Sequence, residues 1–249
     1  MSRDHEIVPF GKEMQKRHFL FEDGFVNLNH GTDQEGSFGT YPKDIRKKLR
    51  YFQDIAEAAP DRFIRYEYPR LLDESRSAMA EFLSVPVEEV VFVPNATTAV
   101  NVVLRNLEYQ EGDLIVYLDP IYGACEKTIS YVTATTPARS VKVDFTYPID
   151  DDELISKFSA TLAANSGKVR VALFETVASL PGVRLPFERL AATAKSYGVL
   201  TLIDGAHGVG HLPLDLTRLA PDFFVSNCHK YVLVHLQRIG GPNKENADQ

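Results

Sequence analysis

The sequence is poor in cysteine. Only Cys125 and Cys228 occur among 249 residues, too few and too far apart for a disulfide framework, so a reducing compartment is expected. It has no basic block, and its net charge is −7; that balance argues against a protein that grips nucleic acid by charge. It has no apolar run near the ~18 residues that span a bilayer. Its opening, MSRDHEIVPFGKEM, lacks the apolar centre of a signal peptide. A soluble, cytoplasmic protein is therefore expected, with no membrane and no nucleic-acid partner.

Several motifs are missing too. The stretch GAHGVG at 205–210 is rich in glycine but is not GxGxxG, and it sits in no matching dinucleotide-binding unit. There is no P-loop and no GxSxG. His207 and His211 are four apart, as in zinc helices, yet Gly208, Gly210 and Pro213 break any helix there. No metal site is expected. There are no internal repeats, and low complexity is confined to GGPNKENADQ at 240–249, which reads as disordered.

What is present is a strong α/β rhythm. Residues 27–42, NLNHGTDQEGSFGTYP, have loop composition. Ile45, Leu49, Phe52, Ile55 and Ala56 are spaced for one helical face and predict a helix over 42–63. A second helix is expected over 71–83. Strands are expected at 89–93 (EVVFV), 114–118, 141–145, 169–175, 199–203 and 223–225. Helices are expected between them, including one capped by Asn95 with Val100, Val103, Leu104 and Leu107 on one face. Others are expected over 124–131 and 151–164. A further stripe, Phe187, Leu190, Ala191, Ala194 and Tyr197, is closed by Gly198. Alternating strands and helices imply a mostly parallel sheet with helices on both faces. Ligands of such sheets sit beyond the carboxyl ends of the strands.

The residues just past the expected strand ends are thus the candidates. Asp204 ends an apolar strand and is followed by Gly205 and Ala206, too small to block a ligand. A carboxylate there suits a cationic ring nitrogen, or equally a turn or helix cap. Lys230 follows the last short strand; a lysine in a tight loop is desolvated and becomes a nucleophile for a carbonyl, although most lysines are simply solvated. Ser226 and His229 beside it supply phosphate donors. Thr97 and Thr98 open a helix, where free N–H groups favour an anion, and where capping alone also explains them. Tyr122, after another strand, offers a ring to stack on a cofactor or to pack in a core.

With these segments assembled, the chain resembles the class V aminotransferase family of pyridoxal-5′-phosphate (PLP) enzymes of fold type I. Its isopenicillin N epimerase-like and hercynylcysteine sulfoxide lyase-like branch is the most similar. The resemblance is carried by NLNHG, SFGTYP, RFIRYEYPRLLDESR, VVFVPNATTAVNVVLRNL, LDPIYGA, ETVASLPGVRLPFERL, LIDGAHGVGHLPLDL and DFFVSNCHKY, in family order, over roughly residues 20–234. It implies a three-layer αβα large domain with a mostly parallel central sheet over 42–234. An N-terminal segment with a substrate loop would occupy 1–41, and a divergent tail 235–249.

It also implies roles. Lys230 forms the Schiff base with PLP, Asp204 pairs with the pyridine nitrogen, and His207 lies near the phenolic oxygen. Thr97, Thr98, Ser226 and His229 hold the phosphate, and Tyr122 stacks on the ring. Ser179 stands where relatives often carry an asparagine that reaches the phenolic oxygen. Asn29, His30, Ser37, Phe38 and Gly39 line the substrate side. The implied activity is that of a lyase cleaving a carbon–sulfur or carbon–carbon bond of an amino acid, in secondary metabolism and as a homodimer. An epimerase, an aminotransferase and a non-catalytic homologue or partner subunit are the alternatives. Cys228, beside the cofactor lysine, is a poor candidate for a desulfurase cysteine.

The chain departs from the family pattern in two places. TDQEG at 32–36 is inserted into the substrate loop. The likeness stops near Val234, so the small C-terminal domain, with the arginine that clamps the substrate carboxylate, is expected to be absent.

Overall fold

The computed structural model describes residues 8–9, 11–26 and 41–230. The chain divides into two compact units. One holds the described residues of Met1–Ala78 and of His229–Gln249; the other is Met79–Cys228.

The first unit is helical. α1 is Lys12–His18 and α2 is Lys43–Ala58. The expected helix over 42–63 ends earlier than its periodicity suggests. Pro60 is the reason: the residue before a proline is pushed out of the helical region, and Ala59 takes φ −153°, ψ 69°. Pro60 then opens a short helix, α3, Pro60–Arg62. A π-helical turn, Phe63–Glu67, leads into α4, Tyr68–Leu83. The buried residues of α4, Met79 and Ala80, belong to the second unit.

The second unit is built on five parallel strands in the order β2-β1-β3-β4-β5. In chain order its elements are α5 (Ala96–Asn106), β1 (Leu114–Asp119), α6 (Gly123–Thr135), β2 (Arg139–Asp144), α7 (Asp151–Ala164) and β3 (Val169–Glu175). They continue with α8 (Phe187–Ser196), β4 (Leu200–Asp204), α9 (Leu216–Leu219) and β5 (Phe223–Val225). Side chains alternate across each strand, so the sheet feeds two cores. On one face Val116, Leu118, Ala172, Phe174 and Ile203 meet Leu154 and Phe158 of α7 and Phe187 and Leu190 of α8. On the other, Ile115, Tyr117, Val171, Leu173 and Leu202 meet Val100 and Leu104 of α5 and Ile129 and Val132 of α6. Both faces being covered is why the central strands read as unbroken apolar runs rather than alternating ones.

One expected strand is not there. Where the strand at 89–93 was expected, Val87–Glu89 is a single 3₁₀ turn and residues 90–93 form no strand. Val91 is 75% and Phe92 40% exposed. An apolar run becomes a strand only where a neighbour completes its ladder of hydrogen bonds, and no described strand pairs with this one. The short helix α9 had no periodic signal. No helix of the described residues is long and apolar enough to cross a membrane.

The topology fixes where a ligand can sit. The chain leaves β1 for β2 on one side and then returns to place β3 on the other. At such a reversal the connections diverge and open a crevice beyond the carboxyl ends. The centre of the α7–α8 core is testable. Phe158 and Phe174 are fully buried and meet edge to face at 6.1 Å. Phe158→Ala is expected to lower the unfolding free energy by about 3–5 kcal/mol, measured by denaturant titration.

Candidate active site at the carboxyl ends of the strands

The site is organised by Asp204, the last residue of β4, which is 5% exposed. Its side chain is held at both oxygens. The Ala206 N–H donates to Oδ1 at 2.9 Å, and the Cys125 thiol donates to Oδ2 at 3.7 Å. Its carbonyl is also used, accepting the Thr176 N–H at 2.9 Å and the Thr176 hydroxyl at 3.3 Å. Asp204 lies opposite Glu175 in the β3–β4 register. Glu175 adds to the rise in the Tyr147 phenol's proton affinity, which burial dominates.

The chain can turn sharply after Asp204 because two glycines admit close neighbours. A β-carbon on Gly205 would overlap the Phe224 ring, and one on Gly208 would overlap the Thr176 side chain. The Gly205 N–H donates to the Val225 carbonyl at 2.7 Å, and the Ser226 hydroxyl donates to the Gly205 carbonyl at 2.8 Å. The loops after β4 and β5 are thereby stitched together. His207, half-buried, sits in the resulting turn, which is closed by Gly208 and Val209 N–H groups on the Gly205 carbonyl.

The amino end of α5 supplies the positive pole. Asn95 is its cap, as the sequence suggested: its backbone is extended and its side chain accepts the Thr98 N–H at 2.8 Å. Asn227 Oδ1 accepts the Ala96 N–H, also at 2.8 Å. Two of the first-turn N–H groups are thus committed inside the protein. That of Thr97 makes no hydrogen bond to another described residue, and aligned peptide dipoles favour an anion there. Thr97 and Thr98 are both half-buried. Asn101 fastens the helix by donating to the Thr97 carbonyl at 3.0 Å and to Thr128 of α6 at 2.9 Å.

Tyr122 occupies the cap position of α6 and is half-buried. Ser179 lies in the turn after β3, where the Ala178 N–H donates to the Val183 carbonyl at 2.9 Å. Thus Thr97, Thr98, Tyr122, Ser179, Asp204, His207 and Ser226 all stand beside α5 or just past strand ends of one sheet. The Ser226 hydroxyl proton is spent on Gly205, which leaves its oxygen as an acceptor. His229 and Lys230 belong to the first unit; His229 is half-buried and Lys230 is 2% exposed. Burial pushes the Cys228 thiol above its ordinary proton affinity, the reverse of what an activated nucleophile needs. Asn29, His30, Ser37, Phe38 and Gly39, and the 32–36 insertion between them, lie outside the described residues, as do 235–249.

Sequence reasoning gave no role to Asn227, Cys125 or Thr176. Asn227, between Ser226 and Cys228 in a strand-end loop, was the most findable; for the other two no local signal existed.

Comparison with known proteins follows the same outline. The model of the family described as aminotransferase class-V matches residues 64–233. An L-cysteine desulfhydrase-like protein, lolT1, of Epichloe uncinata is 36% identical over 237 residues, covering 94% of this chain and 51% of the relative. The hercynylcysteine sulfoxide lyase of Schizosaccharomyces pombe is 26% identical, covering 90% of this chain and 55% of the relative. The chain therefore spans about half the length of the curated relatives it matches. The solved structure of the cystine C–S lyase C-DES with its product cysteine persulfide superposes with a TM-score of 0.71 at 22% identity, covering 82% of this chain and 52% of that one. That likeness shows the fold.

The tie between the β5 loop and α5 can be tested apart from any ligand. Asn227→Ala leaves the buried Ala96 N–H without an acceptor, and a stability loss of about 1–3 kcal/mol is expected by denaturant titration. Asn227→Asp, which keeps an acceptor, should lose less.

Proposed function

Since the chain belongs to the aminotransferase class-V family, we propose that the protein binds pyridoxal 5′-phosphate and acts as a lyase on a sulfur-bearing amino acid, breaking a carbon–sulfur bond. The observation that carries this reading is the Asp204 carboxylate, buried at the end of β4 with a donor on each oxygen. A buried carboxylate at the carboxyl end of a strand suits a cationic partner. A protonated pyridine nitrogen is such a partner.

On the same reading, the phosphate would be held at the amino end of α5 by the Thr97 N–H and by the Thr97 and Thr98 hydroxyls, with His229 completing the set. Ser226 would join it only by turning its hydroxyl away from the Gly205 carbonyl. Tyr122 would cover one face of the ring, and His207 and Ser179 would lie toward its phenolic oxygen. Lys230, two residues beyond Cys228 and buried, would bond to the aldehyde carbon through Nζ. Bound pyridoxal phosphate supplies an electron sink for the substrate α-carbon. Lys230, displaced from the aldehyde carbon by the substrate's amino group, would take the α-proton. Asp204 would keep the ring nitrogen protonated.

Sulfur substrates are favoured because the similar proteins carry names of desulfhydrase-like, sulfoxide lyase and C–S lyase type. The raised proton affinity of Cys228 fits a lyase better than a persulfide-forming enzyme. The same proposal includes a homodimer and a cytoplasmic location. Substrate contacts would come from Asn29, His30, Ser37, Phe38 and Gly39.

Purified protein given PLP is expected to show a visible absorbance band that Lys230→Ala abolishes. Cysteine or a cysteine sulfoxide should then release pyruvate. Aldehyde release from a hydroxy amino acid, with no pyruvate from the sulfur compounds, would redirect the reading to carbon–carbon cleavage. A wild-type protein that stays colourless with PLP would overturn it.

A further inference from the structure

The contact between Cys125 and Asp204 joins α6 to the end of β4. Cys125 lies in the first turn of α6, three residues after Tyr122, and is 1% exposed. Its own position is fixed, because its N–H donates to the Tyr122 carbonyl at 2.9 Å. Its thiol meets Asp204 Oδ2 at 3.7 Å, an ordinary length for a sulfur donor. On the other oxygen stands the Ala206 amide, which belongs to the turn that follows Asp204 itself. That amide ties the carboxylate to its own loop. The thiol ties it to a different element, across 79 residues of sequence.

A carboxylate with one local tether can still swing about its side-chain torsions; a second tether from another element removes that freedom. The sulfur is well suited to this. It is a weak donor, so it fixes the oxygen while withdrawing little charge from it. The carboxylate then remains able to accept a hydrogen bond from a protonated ring nitrogen. The turn Tyr122–Cys125 would serve two ends of one task, with the ring-covering side chain at one residue and the carboxylate's tether three residues on.

We infer that Cys125 is a positioning residue: its thiol aims the Asp204 carboxylate at the cofactor's pyridine nitrogen. The inference rests on the reading of Asp204 as the nitrogen's partner. It is a statement about hydrogen bonding, not about filling space, and substitutions separate the two. Cys125→Ser keeps a donor, whereas Cys125→Val keeps the volume and removes the donor. Cys125→Ala removes both.

The test is a cycle between these variants and two ligands, PLP and its 1-deaza analogue, in which the ring nitrogen is replaced by carbon. Dissociation constants are read from the visible band, and a thermal melt of each unloaded variant reports folding. Cys125→Ala and Cys125→Val are expected to weaken PLP binding by about two- to ten-fold, the range for one hydrogen bond. Cys125→Ser should stay close to wild type. With the deaza analogue, all three variants should match wild type.

A Val variant that binds PLP like wild type while Ser does not would overturn the inference in favour of packing. So would equal losses with both ligands, or no loss in any variant. Should Ala fail to fold, the Ser and Val pair decides. Failure of the underlying reading looks different: the wild type itself would bind both ligands alike, or neither.

Discussion

The peptide group between Asp204 and Gly205 joins the carboxyl ends of three strands. The Asp204 carbonyl takes two hydrogen bonds from Thr176, past β3, and the Gly205 N–H reaches Val225 of β5. One residue further, the Gly205 carbonyl accepts the Ser226 hydroxyl, and Asn227 then reaches the first turn of α5. These groups are buried or half-buried, so each bond left unmade would cost the desolvation of its donor or acceptor. The consequence is geometric. A carboxylate, a turn with an imidazole and a helix amino end are set in one frame by main-chain bonds and by the side chains of Thr176, Ser226 and Asn227.

Much of this was readable from the amino-acid sequence, and the reason is the two-sided burial of the sheet. Runs such as VRVALFE and LIVYLD can be apolar throughout only where helices cover both faces. Asp204, which breaks such a run, stood out for the same reason. The Asn95 cap was legible because capping is local chemistry. Where the reading went wrong, the deciding partner was distant or the effect was conformational. The run at 89–93 has strand composition but no ladder beside it. The helix over 42–63 has the right period but meets a proline. Contacts such as Cys125 with Asp204 lie 79 residues apart, and one sequence carries no trace of them.

The candidate site mixes rigid and tunable parts. The amino end of α5 is an obligatory feature of any helix, so the attraction for an anion comes with the fold. Tyr122 and Cys125 are different: each contributes through one side chain at the amino end of α6. This division matches a family in which one large domain serves several chemistries. The domain supplies the cofactor's seat, and variation around the ring selects the bond to be broken.

The absent side chain at Gly205 has an evolutionary corollary. The Phe224 ring lies where a β-carbon on Gly205 would have to be. Position 205 cannot grow alone, since any larger residue there would have to displace an aromatic ring packed against the α7–α8 core. An accepted enlargement at 205 must be matched by a smaller residue at 224. Homologues with alanine or serine at 205 should therefore carry a reduced side chain at 224, a pairing that can be read from sequences without solving another structure.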